Sequence, residues 1–163
     1  MKKAGILLAV VAVVAGLSLV VVQADSAYKV TGGGQMAVGD TGPGDTIAFN
    51  AQQTGSGNAA RGQVQFVDRD DDGHITRIWH GEVTCLAVVT MGDDGAARFA
   101  GNWTGRKGAT SGTFEILADD NGEPNQGDDM IFIDEVDPPD CSNSQQNPDS
   151  PTSLGRGNVQ IHE

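Results

Sequence analysis

Lysine is scarce in this 163-residue chain, occurring only at Lys2, Lys3, Lys29 and Lys107. Lysine and arginine together number 10 against 22 acidic residues, a formal net charge of −12. That balance excludes nucleic acid and anionic membrane surfaces as partners, since both recruit positive charge. It suits cations and a self-repelling surface. Aromatic residues are also few: one Tyr, two Trp and five Phe. Past Ala24, no window places apolar residues at helical spacing over successive turns, which argues against a helical domain. No second apolar run approaches bilayer length. There is no Gly-x-Ser-x-Gly elbow, no His-Glu-x-x-His or His-x-His spacing, and no glycine-rich phosphate loop leading into a helix. His74, His80 and His162 are therefore expected to point outward or to make single hydrogen bonds.

What is present begins with a leader. Lys2 and Lys3 precede an apolar run from Ala4 to Val22, broken only by Ser18. Val22-Gln23-Ala24 then offers small residues for cleavage after Ala24, the pattern of a Sec-type signal peptide. A retained anchor is the alternative, because the run comes near to spanning a bilayer. Residues 25–163 are expected to form one secreted domain, extracellular or at the cell surface. Removing Lys2 and Lys3 leaves 8 basic against 22 acidic residues, a net charge of −14. The two cysteines, Cys85 and Cys141, read as a disulfide in an exported chain, with two buried free thiols as the alternative.

Turn signals recur along the domain, among them Gly42-Pro43-Gly44, Gly55-Ser56-Gly57-Asn58, Asp72-Gly73, Asp93-Asp94-Gly95 and Asn121-Gly122. Between them lie short alternating or β-rich runs at 62–68, 75–85, 97–103, 112–118, 130–133 and 157–162. Val64 and Phe66 share one face of the first. The expected fold is all-β: a single antiparallel β-barrel or β-sandwich of roughly eight strands. Hairpins are expected between 62–68 and 74–85, between 85–91 and 96–103, and across the glycine-rich link between Trp103 and Thr113. Gly32-Gly33-Gly34 reads as a bend or bulge in an edge strand. Residues 134–153, rich in Pro, Asp, Ser, Asn and Gln, read as a long polar loop tethered by Cys141. Gly62-Gln63-Val64-Gln65 is echoed by Gly157-Asn158-Val159-Gln160, which reflects shared strand chemistry more than an internal repeat. Trp103 is expected in the core beside Ala97 and Phe99. Trp79 is ambiguous, because Ile78 claims the opposite face.

Two acidic stretches invite a metal. Asp68, Asp70 and Asp72 fall at positions 1, 3 and 5 of a calcium-loop pattern, with Gly73 at position 6. Alternate residues in a tight turn can aim their carboxylates at one hard cation, and the glycine permits the bend. Position 12, however, is Trp79 where a bidentate Glu belongs, and the flanks alternate like strands. The second stretch, 119–129, offers Asp119, Asn121 and Asp128 as ligands. Calcium at either place would stiffen a hairpin and would not be catalytic. The competing reading is a plain Asp-Gly hairpin turn and a solvated acidic loop.

Several segments together resemble a known family. They are Lys29-Val30-Thr31-Gly32-Gly33-Gly34-Gln35, Phe49-Asn50-Ala51-Gln52, Gly62 to Asp68, His80 to Leu86, Asp120-Asn121-Gly122-Glu123-Pro124 and Gly157 to His162. Their order resembles the secreted bacterial β domains labelled post-COAP-1, over nearly the whole chain past the leader. The resemblance implies an exported β fold and brings no activity, cofactor or catalytic residue. In that family the turn after the Val64 strand is short and carries few acids, so the calcium reading belongs to this chain alone. The expected role is a non-catalytic secreted or cell-surface module, with a cell-surface glycan or protein as partner. One alternative is a carbohydrate-binding module, which would need an exposed Trp79. Another is a small hydrolase, which would need carboxylates such as Glu82 and Glu115 facing each other across a cleft.

Overall fold

A computed structural model describes residues 27–36, 44–55, 57–90, 95–107, 111–122, 129–136, 139, 141 and 152–162. The segment expected to be a signal peptide, Asp128 and most of 134–153 lie outside these residues. Eight strands follow in order: β1 (Lys29–Met36), β2 (Thr46–Gln53), β3 (Ala59–Arg69), β4 (Ile75–Thr90), β5 (Gly95–Lys107), β6 (Ser111–Asp120), β7 (Met130–Asp134) and β8 (Thr152–His162). Each pairs antiparallel with the next, and β8 returns to β1, closing a barrel. Closure decides between the barrel and the sandwich expected from sequence. It also corrects the reading of the triple glycine. Gly32 to Gly34 lie inside a strand paired on both sides, to Phe49–Ile47 of β2 and Val159–Gly157 of β8, so β1 is no edge. The irregularity falls one step later, between Gln35 and Met36. β8 begins at Thr152, inside the stretch expected to be loop.

The three expected hairpins are present, and β4 serves two of them. It is 16 residues long. One side pairs Phe66 with Trp79 and Gln63 with Glu82 of the 62–68 hairpin. The other runs along β5, from Ile78↔Lys107 to Thr90↔Ala96, with register shifts after Ile78, at Thr84 and at Val89.

Alternation puts the apolar residues inside. Val30, Ile47, Val64, Trp79, Phe99, Phe114, Ile116, Ile131 and Val159 are all essentially inaccessible. Trp79 is the hub: its ring lies 5.4 Å from Phe66, 6.0 Å from Trp103 and 5.5 Å from Phe114. Glycines opposite the rings supply the space. A methyl at Gly81 would meet the Phe114 ring at 2.6 Å, and one at Gly112 would meet Trp103 Nε1 at 2.8 Å. Small barrels fill their interiors by setting small residues against large ones in this way. Arg77 covers one end, its guanidinium 6.0 Å from the Trp103 ring centre and paired with Asp68 and Glu135. With apolar side chains inside and amides outside, the pattern is the reverse of a water-filled transmembrane barrel.

Cys85 and Cys141 form a disulfide. It draws Cys141, 5% exposed, onto the outer face of β4, where the Asn58 side chain donates to the Cys141 carbonyl at 3.0 Å. Nearby, the outward-pointing Arg98 is buried and pairs with Glu115 at 3.0 Å.

The seam between β7 and β8 is built differently from the rest. Only Met130↔Ser153 and Ile131↔Thr152 pair across it. Farther along β8, side chains receive the main chain. Asp129 Oδ2 accepts the Val159 N–H at 2.6 Å, and Asp120 Oδ2 accepts the Ile161 N–H at 3.1 Å. Asp129 Oδ1 also takes the Asn121 N–H at 3.0 Å. A buried carboxylate is tolerated when several N–H donors satisfy it.

Candidate functional site

Two of the three ligands expected at the β3–β4 tip, Asp68 and Asp70, have local partners for their carboxylates. At the β3–β4 tip, the Gly73 N–H bonds the Asp70 carbonyl at 2.8 Å and the Asp70 N–H bonds the His74 carbonyl at 3.0 Å. Gly73 has φ +81°, the left-handed position that closes such a three-residue hairpin loop. Asp70 Oδ1 accepts the N–H groups of Asp72 and His74, at 3.1 and 2.8 Å. Asp68 lies 3.5 Å from Arg77 Nε. Among the described residues, no three His, Cys, Asp or Glu side chains are grouped so as to hold a metal ion. Asp70 thus caps its own turn, and Asp68 neutralises the arginine at the barrel's end. On the same side, Asp45 Oδ1 accepts the Arg69 N–H at 2.7 Å, while burial pushes the Asp45 carboxyl above its ordinary value.

In the second acidic stretch, Asp119 and Asn121 are described and Asp128 is not. Burial likewise pushes the Asp119 carboxyl upward. The carboxylates of Asp120 and Asp129 serve the β8 seam. Sequence reasoning could show the density of charge there, but not that a short β7 would leave β8 in need of acceptors.

The aromatic platform is absent from the surface described. Trp79 is 0% and Trp103 6% exposed, and Ile75 is the one exposed large hydrophobic among the described residues. Glu82 and Glu115 also separate. Both point outward, but Glu115 is held by Arg98 of β5, and it lines neither of the hollows described next.

Two adjoining hollows of about 610 and 660 Å³ mark the outer face of β1–β5. They share Asn50, Gln63 and Glu82. Strand register explains the convergence. Gln160, Thr31, Asn50, Gln63, Glu82 and Asn102 are cross-strand neighbours in unbroken succession from β8 through β5. All sit at outward positions, because the residues beside them, Val30, Phe49, Val64, Val83, Trp103 and Val159, point in. Adjacent strands lie about 4.8 Å apart, so the row is a band of amides, a hydroxyl and one carboxylate, each a strand's width from the next. The row continues to Thr113, whose hydroxyl is already bonded to the Val136 carbonyl. The neighbouring row carries Gln65, His80 and Thr104.

On the other flank, Lys29 and Arg61 stand on either side of Gln52, one strand apart each. Arg69, Arg77 and Arg98 all have acceptors within the fold. Lys29 and Arg61 make no hydrogen bond or ion pair among the described residues. Alternation around Val64 and Phe49 marked Gln63 and Asn50 as outward-facing from sequence alone. What the sequence does not display is the register that lines them up with Glu82 and Asn102. The echo of Gln63-Val64-Gln65 in Asn158-Val159-Gln160 belongs to this pattern, each valine buried between two outward amides.

No family model, no curated protein and no solved structure matches the chain.

Proposed function

We propose that the chain is a non-catalytic module working outside the cytoplasmic membrane, and that it binds through the outer face of β1–β5. The observation that carries this reading is the pair of hollows floored by Asn50, Gln63 and Glu82, whose polar side chains make no hydrogen bond or ion pair among the described residues. The apolar filling of the interior directs binding outward, since Trp79, Phe99 and Phe114 occupy the space a barrel ligand would take. Export is supported by the leader pattern, the Cys85–Cys141 bridge and the resemblance to secreted bacterial β domains. Burial of both tryptophans removes the stacking surface that a conventional carbohydrate-binding module uses. Calcium is no part of this reading, since at the β3–β4 tip it would compete with the N–H donors Asp70 already holds.

The test is a nuclear magnetic resonance titration of the exported, isotope-labelled protein with solubilised cell-envelope material. Binding through this face shifts amides of β1–β5 and is weakened by Asn50→Ala with Gln63→Ala. Shifts confined to β6–β8 or to the acidic tips, or none at all, refute the proposal.

A further inference from the structure

We infer that the β1–β3 side of this face takes a carboxylate-bearing polysaccharide, held edge-on by hydrogen bonds and by Lys29 and Arg61. The inference rests on the binding face proposed above and names its ligand class. Three observations lead to it.

The first is charge. In a chain this acidic, a cation has abundant carboxylates to pair with, and Arg69, Arg77 and Arg98 each find acceptors. Arg106 and Arg156 make no hydrogen bond or ion pair among the described residues, and neither do Lys29 and Arg61; what sets the last two apart is that both line one hollow, two strands apart with Gln52 between them. Glu82, at the far edge, is the one acidic residue lining that hollow. The overall negative charge does not forbid an anion here. Screening limits the reach of exposed charges to roughly 8 Å at physiological salt.

The second is the kind of polar group. Thr31, Asn50, Gln52 and Gln63 supply donors and acceptors side by side. An amide offers both from one side chain, which suits a ring bearing several hydroxyls. Aromatic stacking is not available, so recognition must come through ring edges and substituents.

The third separates a glycan from a polypeptide. A peptide adding as a strand needs an open sheet edge, and the closed barrel has none. A folded partner needs an apolar or aromatic anchor at its centre. The hollow offers no exposed large hydrophobic residue, and Ile75 lies outside it. A hydrated, hydroxyl-rich chain needs neither.

The probes are an oligogalacturonate and its fully methyl-esterified form, which share rings and hydroxyls and differ in charge. Calorimetric titration of the exported protein at physiological ionic strength is expected to show the acid binding about tenfold more tightly than the ester, about threefold for each exposed cation. Added salt shrinks that preference. Lys29→Gln with Arg61→Gln abolishes the preference, bringing the affinity for the acid down to that for the ester, while Asn50→Ala with Gln63→Ala weakens the binding of both probes. Circular dichroism confirms the barrel in each variant. Equal affinity for acid and ester, or a preference that survives loss of both cations, overturns the inference and leaves the binding face standing. Binding of neither probe, or tighter binding of polyglutamate than of the oligogalacturonate, also overturns it. The envelope titration judges the face itself, so the two failures are distinguishable.

Discussion

Gly81→Ala is a one-carbon test of how the barrel is filled. The added methyl would come to 2.6 Å from Phe114 Cε1, with two further ring atoms at 3.1 and 3.2 Å. Ordinary carbon contacts lie at about 3.5–4.0 Å, so the ring would have to move by close to an ångström. Phe114 has nowhere to go: it is fully buried and packs on Trp79 at 5.5 Å. Overpacking of this kind costs about 1–3 kcal/mol. Against it, alanine loses less chain entropy on folding than glycine, which returns about 0.4–1 kcal/mol. The expected net loss is about 1–2 kcal/mol, a fall in melting temperature of about 3–10 °C. Urea unfolding followed by tryptophan fluorescence measures it directly, because Trp79 and Trp103 report from inside the core. In a Phe114→Leu background the penalty should shrink, giving a coupling of about 0.5–3 kcal/mol. If Gly81→Ala stabilises the protein, as at an unhindered glycine, or if the two changes are additive, the account of small residues set against large ones is wrong.

Replacing Cys85 and Cys141 together by alanine should lower stability by about 4 kcal/mol, read as an earlier urea midpoint that reductant no longer shifts. Asp129→Ala, which leaves the Val159 and Asn121 N–H groups without their acceptor, should cost about 1–3 kcal/mol and speed amide exchange in β8 ahead of the other strands. Burial holds the Asp119 carboxyl above its ordinary value, so the folded state takes up that proton more readily than the unfolded chain. Its contribution to stability therefore falls as pH rises from the ordinary carboxylate range through the raised native value. Asp119→Asn should remove that slope and raise the urea midpoint at neutral pH. The melting temperature should be the same in millimolar calcium and in chelator; a rise of several degrees with calcium would put a cation among the acidic loops.

How much could be read beforehand depended on whether a feature was local. The run 62–68, with Val64 and Phe66 on one face, and the partner after Asp72-Gly73 declared a hairpin, because alternation and turn chemistry act within a few residues. The disulfide followed from an even cysteine count in a chain expected to be exported. Trp79 was harder, since Ile78-Trp79 puts two apolar residues on opposite faces; only pairing with Phe66 shows which one turns inward. β2, Thr46–Gln53, and the triple glycine of β1 were obscure because amides and glycines contribute little to a hydrophobic pattern. Yet closure of the barrel depends on β1, through contacts nearly the length of the chain apart. The acids have uses that spacing does not display. Their spacing at 68, 70 and 72 fits a cation, but spacing does not show which N–H groups a turn or a short strand will leave unsatisfied. The binding face was least visible of all, being a row across strands whose members are far apart in sequence.

The β7–β8 seam gives this barrel a kind of adjustability that its other joins lack. The other joins are main-chain ladders, fastened by backbone groups that every residue but proline carries. Here two ladder pairs and the Leu154 N–H on the Asp129 carbonyl are joined by the side chains of Asp120 and Asp129, and single codon changes at those two can loosen or tighten the fastening. Evolution, or an engineer, can therefore set how readily the last strand peels away while leaving the core and the β1–β5 face untouched.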